Sequence, residues 1–129
     1  MIEAAQGEIV VKPRLEAVSE VRGFVRLTLG RWGLDDYLPC LVASELVTNA
    51  IVHGSGADDD VTLRLSLGDD GSLWMEVQDA SCDGPFLRPV EPGSENGRGL
   101  FVVDHFVRHW GVRPLADDAG KVVFAVLDP

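Results

Sequence analysis

Glu45, Asn49 and His53 stand four residues apart in an otherwise apolar stretch that runs from Leu41 to Gly54. At 3.6 residues per turn a step of four drifts by only about 40°, so the spacing predicts all three along one stripe of one helix. Leu41, Val42, Ala43, Leu46, Val47, Ala50, Ile51 and Val52 are apolar, which predicts packing around most of the remaining circumference. A carboxylate, an amide and an imidazole aligned beside a core would suit a site that holds something polar.

A second candidate comes from alternation. Val61, Leu63, Leu65 and Leu67 alternate with Thr62, Arg64, Ser66 and Gly68, the pattern of a half-buried strand. Asp69-Asp70-Gly71 reads as a hairpin turn, after which Leu73, Met75 and Val77 carry the buried row of a second strand. One step further, Asp79 falls on the apolar side. A carboxylate there must have a donor, because burying an unpaired one is too costly. The residues allow two sources: the following turn, capped by the carboxylate, or a ligand such as an exocyclic amine.

A third signal follows. Residues 80–98 contain Gly84, Pro85, Pro89, Pro92, Gly93 and Gly97, which break any regular element. A loop of that length in a small domain is either functional, such as a lid, or disordered. It ends in Gly97-Arg98-Gly99-Leu100 before a helix expected to run to about Trp110, with Leu100, Val103, Phe106 or Val107, and Trp110 as its buried stripe. Glycines entering a helix N-terminus let the first amides approach an anion closely.

The elements that must position these residues complete the layout. Residues 8–12 read as a short strand, and Pro13 to Arg31 as a helix with Leu15, Val18, Val21 or Arg22, Val25 and Leu29 at helical spacing, ended by Gly33. Pro39 opens the next helix, and Lys121 to Leu127 closes the chain as a final strand. The 129 residues predict a single domain, 1–129, able to bury a core. A net charge of −10 and a pI near 4.5 argue against a nucleic-acid or anionic-membrane surface. No apolar run approaches the roughly 20 residues of a membrane span, and the first residues do not read as a signal peptide. Cys40 and Cys82 lack metal-ligand spacing and read as two reduced cysteines of a cytoplasmic protein.

Taken in order, Glu-x-x-x-Asn-Ala-x-x-His on a helix, a hairpin ending in Asp, a Gly/Pro-rich loop and Gly-x-Gly-Leu opening a helix resemble the GHKL ATPase superfamily. That group shares an ATP-binding fold among gyrases, the heat-shock chaperone, MutL-type repair proteins and histidine kinases. The resemblance covers about residues 13 to 127. The small size and the wording Ser44-Glu45-Leu46-Val47-Thr48-Asn49-Ala50 look like its anti-sigma-factor serine/threonine kinase branch, whose stand-alone ATP-binding regulators are abundant in actinobacteria.

The resemblance implies roles residue by residue. Asn49 matches the amide that coordinates Mg²⁺, and Glu45 the carboxylate proposed as general base. Asp79 matches the carboxylate that accepts a hydrogen bond from the adenine amino group. Gly97, Gly99 and Leu100 match the second glycine box around the phosphates, to which Arg98 could add charge. Residues from about 80 to 98 match an ATP lid that includes Gly84, and His53 ends the helix motif in a structural or supporting place.

Two departures stand out. The first glycine box usually reads Asp-x-Gly-x-Gly, whereas here it is Asp79-Ala80-Ser81-Cys82-Asp83-Gly84-Pro85, with Ser81 at the first Gly. The last strand usually carries a Thr or Ser hydroxyl that helps hold the Asp or a bridging water; Gly120-Lys121-Val122-Val123 lacks it. Nothing resembles a histidine-kinase dimerisation helix pair.

Other constellations are weaker. His105 and His109 would share a face of the last helix at zinc-chelating spacing, yet no third ligand is near, so an exposed pair is expected. Asp58-Asp59-Asp60 lacks EF-hand spacing and reads as a solvated turn. Ser44 and Ser81 have no evident His–Asp relay.

The expected fold is therefore α+β: a two-layer sandwich in which a mixed sheet is covered on one face by three helices. The expected function is an ATP- and Mg²⁺-dependent protein serine/threonine kinase of anti-sigma type. By the same resemblance it would act on a STAS-type antagonist and sequester a sigma factor, with the first helix and lid facing partners and a homodimer plausible. The alternative is a nucleotide-sensing interaction module without phosphotransfer; a weaker one is a scaffold that has lost the nucleotide.

Overall fold

The structure is a computed structural model that describes residues 6–54, 59–80, 103–116 and 119–128, the side chains of 53 and 54 excepted. Its strands arise where the alternation is strongest. β2 (Val61–Leu67) and β3 (Leu73–Asp79) form the expected hairpin, with Leu65 opposite Met75 and Leu63 opposite Val77. These four side chains are completely or almost completely buried. β1 (Gln6–Val11) adds to β2 at one edge. β5 (Lys121–Leu127) adds to β3, and β4 (His109–Pro114) closes the other edge, giving the order β1-β2-β3-β5-β4.

The sheet differs from the mixed one expected: all four pairings are antiparallel. The β2–β3 and β4–β5 connections are short, and a short connection can join antiparallel strands only.

Among the described residues, α1 and α2 are the long helices that cover one face. α1 (Ala17–Arg31) buries Ala17, Val21, Val25, Thr28 and Leu29. It starts later than the expected Pro13, because residues 14–18 are a tighter lead-in: the Ala17 and Val18 amides donate to Arg14 and Leu15 carbonyls, at 2.9 and 3.1 Å. Leu15 therefore stays 63% exposed instead of joining the stripe. The stop is as expected. Gly33 adopts φ +71°, and the Leu34 amide donates back to the Leu29 carbonyl at 2.9 Å, which satisfies an orphan carbonyl at the helix end. α2 (Tyr37–Asn49) packs beside α1 and continues as a π-helical turn over Ala50–Gly54. Arg22 Nε of α1 donates to Ser44 Oγ at 2.9 Å, and that hydroxyl donates to the Cys40 carbonyl at 2.7 Å, clamping the pair.

The last helix ends earlier than expected. Residues 103–106 are helical, but His109 and Trp110 lie in β4. Trp110 still packs on the core, from a strand rather than a helix. Pairing with the almost wholly buried β5 outweighs the local helical spacing. Gly111 fits this placement, since a Cβ there would stand 2.8 Å from the Phe124 ring.

The β2–β3 turn is chemically defined. Asp70 accepts hydrogen bonds from the Ser72 amide, at 3.0 Å, and the Ser72 hydroxyl, and faces Arg108 at 3.2 Å. These donors, Ser72 first, hold the Asp70 carboxyl down at about 2. A depressed carboxyl stabilises the fold above its unfolded value, and the gain is lost as pH falls through about 2. An NMR titration should place the Asp70 midpoint at about 2, and Ser72→Ala should raise it toward the ordinary carboxylate range.

Candidate functional site

Asp79 is the last residue of β3, and the inward row Leu73, Met75 and Val77 leads to it. The alternation thus delivers a carboxylate to the helix-covered face, as its place in the sequence requires. Directly opposite in the β3–β5 register stands Lys121, the first residue of β5. Its ammonium donates to Asp79 Oδ1 at 2.9 Å, and the two side chains are 5% and 1% exposed. Asp79 Oδ2 is fully buried as well.

This pairing answers the departure seen in the last strand. The hydroxyl expected beside the carboxylate is absent, and Lys121 supplies a charged donor in its place. Lys121 is the site residue that sequence reasoning passed over. Its only local signal was a Lys opening a run of apolar residues, Val122 to Leu127. Its partner, 42 positions earlier, becomes visible only through the strand register.

Gly120 makes the approach possible. Its φ is +138°, and a Cβ there would fall 2.1 Å from the Asp79 carbonyl oxygen. The backbone of β5 therefore enters the sheet hard against the end of β3, at a position only glycine can occupy.

Glu45 and Asn49 come from α2, one turn apart and both half-buried. Val42, Ala43, Leu46 and Val47 bury the rest of the helix, so its orientation is fixed by packing. The α-helical spacing that aligns Glu45 with Asn49 ends at Asn49. His53 belongs to the π-helical turn, whose wider i→i+5 geometry interrupts the four-residue stripe. That turn packs on β3, the strand that ends in Asp79. The His53 side chain lies outside the described residues, as do Gly84, Gly97, Arg98, Gly99, Leu100 and Ser81.

Other candidates resolve simply. His105 lies in the 103–106 helix and His109 in β4, so the i, i+4 pair on one helix does not form. Among the described residues no group of three or more His, Cys, Asp and Glu side chains could hold a metal ion. The oxygens suited to a hard cation here are those of Asn49 and Glu45. Cys40 is buried and is not in a disulfide; burial, with Asp36 nearby, pushes its thiol upward and makes it inert. No described helix is long and apolar enough to cross a membrane.

The chemistry on offer is a buried acceptor–donor pair at the end of the sheet and, on a helix that packs on β3, a carboxylate and an amide. An acceptor and a donor side by side have the hydrogen-bonding character to read the edge of a heterocyclic base. This donor set fits a purine nucleotide with a hard cation. Comparison with known families gives a match to the model of the histidine kinase-like ATPase domain over residues 11–127. No curated protein matches the chain.

Removing one partner of a buried pair leaves the other charge uncompensated, which costs roughly 3–5 kcal/mol. Lys121→Met should therefore destabilise the fold by about that much in urea unfolding, and Asp79→Leu in the same chain should recover most of it. Gly120→Ala should be destabilising too, through the clash with Asp79.

Proposed function

This chain belongs to the histidine kinase-like ATPase domain family, and from that premise we propose that it binds ATP with Mg²⁺ and acts as an anti-sigma-type protein serine/threonine kinase. The observation that carries the nucleotide site is the buried Asp79 carboxylate at the end of β3, on the face covered by α2. An acceptor in that place suits the adenine amino group.

ATP supplies the phosphoryl group when bound, and Mg²⁺ neutralises its charge. Asn49 offers its side-chain carbonyl oxygen as a hard ligand for the cation. Glu45, one turn earlier, accepts the proton of an attacking Ser or Thr hydroxyl on its carboxylate. The rest of the catalytic gain comes from positioning, which suits a rigid helix packed on a sheet. In the same reading Gly97, Arg98, Gly99 and Leu100 surround the phosphates, Gly84 belongs to the lid, and His53 supports Asn49.

The partners proposed are a STAS-type antagonist, which receives the phosphoryl group, and a sigma factor, in a cytoplasmic regulator that works as a homodimer. The outward face of α1 supports a protein partner. Arg26 and Leu27, the latter 58% exposed, stand side by side there on a chain of net charge −10. An exposed Arg next to an apolar side chain on an acidic protein suits an acidic partner surface. The second reading, a nucleotide sensor without transfer, is favoured by Ser81 in place of the first glycine of the loop after Asp79.

Calorimetric titration with ATP should show Mg²⁺-dependent binding, and Asn49→Ala should lose that dependence. With γ-labelled ATP and a STAS-type antagonist, Glu45→Ala should keep binding and lose at least about a hundredfold in transfer, the scale of a general base. Binding without transfer in the unaltered chain would leave the sensor reading.

A further inference from the structure

We propose that Lys121 is a base-specificity residue, whose ammonium holds Asp79 and at the same time donates a hydrogen bond to the ring nitrogen N1 of adenine. This rests on the nucleotide site proposed above and assigns a new role within it. The edge of adenine that carries the amino group offers a donor, the N6 hydrogen, and beside it an acceptor, N1. The site offers the complement: a carboxylate that only accepts and, 2.9 Å away, an ammonium that only donates.

The two side chains share one face because Asp79 and Lys121 are paired residues of adjacent strands. Both are almost wholly buried, so a hydrogen bond made there competes little with water. An ammonium carries three N–H donors and can hold Oδ1 while turning another toward a ligand. Gly120 fixes where it starts, since the backbone approach to Asp79 admits no other residue.

The substitution has a consequence for selectivity. A hydroxyl in this place could donate or accept, and so would tolerate either a ring nitrogen or a ring N–H. Lys121 can only donate. A base with a proton at N1 and a carbonyl at position 6, such as hypoxanthine or guanine, presents a donor to the ammonium and an acceptor to the carboxylate. Both contacts are mismatched, and a site built from committed donors and acceptors rejects such analogues strongly.

The test is calorimetric titration of the unaltered chain with the Mg²⁺ complexes of ADP, 1-deaza-ADP (C–H in place of N1) and inosine diphosphate. Loss of a hydrogen bond to a charged donor should weaken 1-deaza-ADP by about tenfold to a hundredfold relative to ADP, with inosine diphosphate weaker still. Lys121→Met, which has no donor and is checked for folding by circular dichroism, should bind ADP and 1-deaza-ADP within about twofold of each other. Equal binding of ADP and 1-deaza-ADP by the unaltered chain overturns the role of Lys121 whether or not the variant folds, and leaves the nucleotide site standing. Discrimination that survives in a folded Lys121→Met also overturns it. Failure of ADP itself to bind removes the nucleotide site, and this role with it.

Discussion

Two opposite charges buried side by side constrain everything around them. Taking a carboxylate and an ammonium out of water costs several kcal/mol each, and their attraction repays this only if the geometry is held. Asp79 and Lys121 meet that condition because they are cross-strand partners at the ends of β3 and β5. The register of the sheet therefore matters beyond its own hydrogen bonds: a slip of β5 by one residue would turn Lys121 to the opposite face and part it from Asp79. Gly120 is part of the same constraint, as the close entry of β5 leaves no room for a side chain.

α2, which packs on β3, carries the half-buried Glu45 and Asn49 in a helix that is otherwise packed. Its position is set by apolar contacts with the sheet and by the Arg22–Ser44–Cys40 hydrogen bonds that tie it to α1. The polar pair is thus carried by an element with little freedom to reorient, which is what positioning chemistry needs. The π-helical turn after Asn49 lets the chain leave α2 and pack on β3, the strand bearing Asp79. Sequence, register and helix packing converge on one face of the sheet, while the other face keeps charged pairs such as Arg113–Glu76 and Arg64–Glu8 near solvent.

Much of this was legible in the sequence wherever the signal was local. The alternation of β2 and β3, the turn at Asp69 to Gly71, the stop at Gly33 and the inward place of Asp79 each follow from a few neighbouring residues. Long-range facts were not. The antiparallel arrangement of the whole sheet depends on where β4 and β5 insert, and Lys121 becomes a site residue only once β5 is paired with β3. Trp110 misled because a large apolar residue at helical spacing looks the same whether a helix or a strand buries it. Gly111 and Pro114, both poor in a helix, were the available hint that a strand follows. The α2 stripe was right from 45 to 49, and the π-helical turn that changes its period leaves no mark in residue type.

We propose that a nucleotide docks with its base against Asp79 and Lys121, on the helix-covered face. Titration of the isotope-labelled chain with Mg²⁺-ADP, followed by backbone amide NMR, tests this most directly. Docking there should give saturable shifts concentrated at Asp79 and Ala80, Gly120 and Lys121, and residues 45–50. Shifts confined to the outer face around Glu8, Arg64 and Glu76, or none at millimolar nucleotide, would contradict it.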